Sequence, residues 1–156
     1  MSRTLNTFLT MRNLALPALL AMLVLLNSSF VDISHCEGEA TYYSLEEALA
    51  EPEKVIKLDI AMLKLTSISP DIAKLVNLEC LDLSFNKIST LPPEFAELKK
   101  LRVLNLMGTR FMAKVPDIIA KLPSLEELDI RDHPEWKGTQ FDDAIRMLPN
   151  VKVITE

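Results

Sequence analysis

Apolar positions in residues 78–100 follow two rules in succession. Leu81 and Leu83 stand two apart, the alternation of a half-buried strand, whereas Phe95 and Leu98 stand three apart, a helical interval. Leu78, Ile88 and Leu91 fill the places between, with Asn86 ninth and Pro92 fifteenth in the unit. One strand with one short return cannot bury its apolar side alone, so such a unit needs neighbours of its own kind. Residues 55–77 supply one, placing Val55, Leu58, Ile60, Leu65, Ile68, Ile72 and Leu75 in the same register over another 23 residues. Residues 101–124 follow with Leu101, Leu104, Leu106, Phe111, Val115, Ile119 and Leu122, once a single inserted residue is placed near Ala113. Residues 125–150 begin in register at Leu125, Leu128 and Ile130, depart at His133-Pro134 and recover at Ile145 and Leu148. Val151 opens a further strand.

This spacing, L-x-x-L-x-L-x-x-N-x-L, resembles the leucine-rich repeat, and residues 55–156 resemble that family in its 23-residue, bacterial-style form. The resemblance implies an α/β solenoid with a short parallel sheet on a concave face and helical returns on a convex one. Leu58, Ile60, Leu81, Leu83, Leu104, Leu106, Leu128 and Ile130 are then the inward strand residues. Ser69 before Pro70 reads as a cap ahead of a first-turn proline, repeated near Pro93 and Pro116. A last helical return is expected over residues 141–148. The ninth place, where the family favours an asparagine that bonds backbone between coils, is filled only by Asn86. Leu63, Thr109 and His133 hold the others, so the expected ladder is broken.

The start of the chain is of another kind. Arg3 and Arg12 are the only charges before Asp32, and residues 14–26 are apolar apart from Pro17. That run falls short of the ~20 residues that span a bilayer. A basic start, a short apolar core and a small polar tail read as a signal peptide over residues 1–36, with Met1 or Met11 as initiator. An uncleaved anchor through residues 14–26 and a lipid on Cys36 are the alternatives. Residues 37–54 then form an N-terminal cap, in which Ser44 caps a helix carrying Leu45, Ala48 and Leu49 and Pro52 ends it. Loss of Arg3, Arg12 and Asp32 with the leader moves the formal charge from −5 to −6, against a nucleic-acid surface. Cys36 and Cys80 make no disulfide framework, so the expected domain is held by its core without cross-links.

Chemistry is thin. Cys80 points outward from its strand, and the nearest base, His133, lies two coils away, beyond hydrogen-bond reach for nucleophilic catalysis. His133 beside Asp132 lacks further ligands for zinc and is expected in a capping loop. Asp59, Asp82, Asn105 and Asp129 form one column that suits calcium, a basic partner or plain solvation. The expected function is that of a non-catalytic, exported protein-binding module with no cofactor. Its contact residues are Lys57, Asp59, Asp82, Ser84, Phe85, Asn105, Met107, Glu127, Asp129 and Arg131, facing a protein with a basic surface. The alternative is a membrane-held structural component of the cell envelope that packs or self-associates through its repeats.

Overall fold

The computed structural model describes residues 36–110 and 112–156. The expected leader, its two starts, the apolar run and Phe111 lie outside the described residues. Six short strands form one parallel sheet in chain order: β1 (Thr41–Tyr42), β2 (Lys57–Asp59), β3 (Cys80–Asp82), β4 (Val103–Asn105), β5 (Glu127–Asp129) and β6 (Lys152–Ile154). The register pairs Leu58 with Leu81, Leu81 with Leu104, Leu104 with Leu128 and Leu128 with Val153. Equivalent leucines therefore stack from coil to coil.

The sheet begins one coil earlier than the repeat pattern indicates. Thr41 and Tyr42 pair with Lys57 and Leu58 ahead of the cap helix α1 (Leu45–Ala50). Ser44 Oγ accepts the Glu47 N–H at 3.0 Å, as expected, while the Glu47 carboxylate accepts the Tyr43 N–H at 3.3 Å.

The returns are tighter than α-helix. Pro70–Lys74, Pro93–Glu97 and Asp117–Lys121 are single 3-10 turns, short enough to close each coil within its 23 or 24 residues. Ser69 Oγ accepts the Asp71 N–H at 3.2 Å, so the cap is made. Only the last return is a true helix, α2 (Gly138–Met147), longer at its start than the pattern gave. Successive returns pack on one another as the strands do. Between the two layers lies one apolar core containing Leu58, Ile72, Leu81, Leu83, Phe95, Leu104, Leu106 and Leu128, all 2% exposed or less.

A second, smaller cluster occupies the opposite side of the sheet. It holds Cys36, Cys80 and Val103, with Ile56 against it. Cys36 and Cys80 are joined in a disulfide across a separation of 44 residues. The absence of cross-links expected from the sequence is thus corrected. Alternation turns Leu81 into the core and Cys80 outward, and the segment before β1 crosses the sheet at that point. Cys36 is buried in this cluster, and its sulfur is taken up by the disulfide.

Candidate functional site

Each strand offers outward places at its third and fifth repeat positions, and a seventh follows just beyond. The third-place row is Lys57, Cys80, Val103 and Glu127. Cys36 covers its centre, leaving Val103 only 2% exposed. From Cys36 over β3 and β4, residues 37–40 lead back to β1, so Glu37, Gly38 and Glu39 cross the face and are exposed. Glu127 is buried and its carboxylate lies 2.8 Å from Lys152 Nζ.

The fifth-place row ends the strands. Asp59 accepts the Ala61 N–H, Asp82 the Ser84 N–H, Asn105 the Met107 N–H and Asp129 the Arg131 N–H, at 2.8–3.1 Å. Each side chain caps its own strand two residues on, which is why short acceptors fill the row. Asn105 Nδ2 also donates to Asp82 Oδ2 at 2.9 Å, tying β3 to β4.

Asp129 departs furthest from its expected role. It is fully buried, and Arg131 Nη2 meets its carboxylate at 2.6 Å. Hydrogen bonding to Asp129 holds the Arg131 guanidinium above its usual range, against the opposing effect of burial. Asp129 therefore offers no charge to a partner, and neither Glu127 nor the buried Ser84 presents a free surface. Lys57, Asp59, Asp82, Asn105, Met107 and Arg131 are half-buried, and Phe85 is exposed. Lys57, Asp59, Asp82 and Asn105 meet around a hollow of about 110 Å³ that Tyr43 flanks. That volume suits one side chain and lies well below the ~300 Å³ of ordinary ligand pockets.

At the eighth place the chain turns sharply. Met62, Phe85, Gly108 and Asp132 all have left-handed backbone, with φ of 59°, 55°, 64° and 57°. Their N–H groups continue the ladder, from Met62 to Ser84 O, Phe85 to Met107 O and Gly108 to Arg131 O. The turn throws Met62, Leu63 and Phe85 outward, where they are 68%, 50% and 37% exposed.

The ninth place runs inside this turn. Asn86 Nδ2 donates to Ile60 O and Leu83 O, and its Oδ1 accepts the Leu65 N–H, joining two coils. The expected break at the later coils is corrected. Thr109 Oγ1 donates to Leu106 O at 2.6 Å, and His133 Nε2 lies 3.1 Å from the same oxygen. His133 is buried and stacked on Trp136 with ring centroids 4.1 Å apart, so it is a core residue of the last coil. Only exposed Leu63 leaves the ladder. Cys80 carries no free thiol, and no group of three metal-ligating side chains gathers among the described residues.

A family model described as leucine-rich repeat region matches residues 31–155. No curated protein matches the chain. Among solved structures, a leucine-rich repeat protein of Leptospira interrogans aligns at 24% identity and TM-score 0.46, covering 74% of this chain and 34% of that one. A plant peptide hormone receptor, RGFR1 in complex with RGF2, aligns at 19% identity and TM-score 0.30, covering 63% and 24%. The chain thus spans about a third and a quarter of the length of these two.

Proposed function

Because the chain belongs to the leucine-rich repeat family, whose members commonly mediate protein–protein contact, we propose that it is a non-catalytic, exported protein-binding module. One observation carries the reading. The strand side ends in exposed Met62, Leu63 and Phe85 on adjacent coils, held by a hydrogen-bonded backbone. Contiguous exposed apolar side chains on a rigid scaffold mark contact surfaces. On the return side Lys74 pairs with Asp71 and Lys114 with Asp117.

Export is supported by the Cys36–Cys80 disulfide, since such bonds persist in oxidising compartments. In this reading any leader ends before Cys36, and the disulfide, not a lipid, takes the Cys36 sulfur. A photo-reactive residue placed at Phe85 or at Lys121 of the full chain, in its native host, tests the contact side. Cross-links to one protein from Phe85 and none from Lys121 are expected; the reverse pattern sinks the reading. Alkylation without reductant should leave both cysteines unlabelled, and intact mass should show Cys36 retained without residues 14–26.

A further inference from the structure

Lys64, Lys87 and Arg110 occupy the tenth place of three successive coils and are all exposed. Lys64 and Lys87 lie on neighbouring coils joined beside them, the Lys87 N–H donating to Leu65 O at 2.7 Å. Like charges in register destabilise a stack unless something offsets them. Among the described residues neither Lys64 nor Lys87 has an ion-pair partner, and Arg110 has a loose one, 3.8 Å from Asp132. This basic column stands on a chain of net charge −5. On the first two of these coils it borders the exposed step made by Met62, Leu63 and Phe85, two residues or fewer away along the chain. Basic column and apolar step are the same rim.

We propose that this rim captures an acidic segment of the partner protein, whose carboxylates meet Lys64, Lys87 and Arg110 and whose apolar side chain covers Met62 and Phe85. This deepens the strand-side reading and rests on it. Charge complementarity chooses the sign. Asp129 is buried against Arg131, and Asp59 and Asp82 are half-buried at the strand ends, whereas Lys64 and Lys87, beside Met62 and Phe85, are exposed. A protein segment fits better than an anionic membrane, for two reasons. Polybasic lipid contacts use a cluster of roughly four to eight cations. Asp59 and Asp82, on the same coils as Met62 and Phe85, would also repel a broad anionic plane, whereas a narrow segment can keep to the rim.

The test uses the full chain with its disulfide intact and measures fluorescence anisotropy of labelled peptides. One peptide alternates Glu with Leu, one Lys with Leu, and one Glu with Ser. The Glu/Leu peptide should bind best, and its affinity should fall as salt rises, because exposed charges are screened. Lys64→Glu with Lys87→Glu should weaken it at least about tenfold, and Phe85→Ser by a similar factor, as loss of charge pairing and of an anchor do. Lys74→Glu with Lys121→Glu should leave it within about twofold, as distant surface changes do. Thermal melts of each variant, expected to match the parent, separate lost binding from lost folding. Unchanged binding in the Lys64/Lys87 variant, or binding of no peptide, overturns the rim. Preference for the Lys/Leu peptide, abolished by Asp59→Asn with Asp82→Asn, overturns the rim but leaves the strand side standing. Loss only in the return-face variant overturns both. Saturable binding to phosphatidylglycerol vesicles that the Glu/Leu peptide cannot displace makes the rim a lipid site and overturns the proposal.

Discussion

Gly108 shows how narrowly one residue can be specified. Its φ of +64° is easy only without a side chain, and a Cβ built there would stand 2.7 Å and 2.9 Å from two carbons of the Phe85 ring. Phe85 is thus held against the next coil's backbone while its other face meets solvent. Gly108→Ala should cost about 1–3 kcal/mol, from backbone strain and overpacking together. In the background of Phe85→Ala the same change should cost less, because the clash is gone and only the strain remains. A double-mutant cycle by denaturant melts measures the coupling; purely additive losses would mean that the ring and the glycine do not constrain each other. The three glycines of the sequence give no hint of this neighbour. Left-handed turns at Met62 and Phe85 are equally hidden, since propensity argues against them and only the coil's closure imposes them.

At the scale of the element, the strand register from β2 to β5 was legible in the repeat, whereas β1 was not. Period-two leucines inside a repeated unit leave a strand nowhere else to pair, and a one-residue slip would expose Leu81 or Leu104. What the strands do with their outward side was not legible. Asp59, Asp82, Asn105 and Asp129 look alike in sequence, yet only Asp129 is buried, because Arg131 folds back onto it two residues later. The basic column at Lys64, Lys87 and Arg110 was open to counting along the repeat, but that Lys64 and Lys87 lack ion-pair partners among the described residues, while Arg110 has Asp132 3.8 Å away, was not. The disulfide was invisible because its partners are far apart in sequence and meet on the outer face, where no periodicity operates. Changing Cys36 and Cys80 to Ala should cost about 4 kcal/mol on the loop-entropy account of a closure of this length, within the usual 2–5 kcal/mol. Melts with and without reductant check it. A shift small enough to be lost in error would show the bond to be incidental to stability.

Across the whole molecule, stability is a sum over coils and the interfaces between them. Leu83 has a coil on either side and no exposure, whereas Val153 lies on the terminal strand and is partly buried. Leu83→Ala should cost about 2–5 kcal/mol and lower protection across the sheet. Val153→Ala should cost about 1 kcal/mol, as partial burial implies, and loosen α2 and β6 alone. Amide hydrogen exchange, resolved by coil, distinguishes the two; uniform loss in the Val153 variant would mean that the last coil is not a separable end.

The crossing of the sheet by residues 36–40 also has a mechanical side. A pull on the chain ahead of Cys36 does not reach β1 first. It passes through the sulfur bridge into β3, so the 44-residue span between the cysteines carries no load while the bond holds. Stretched by its two ends in an optical trap, the oxidised protein should lengthen only by the segments outside that span. With reductant present the hidden length should appear as well, roughly 150 Å at the reach of an extended chain. If the chain is held at its start in the cell, its first coils are thereby sheltered from whatever tension the tether transmits.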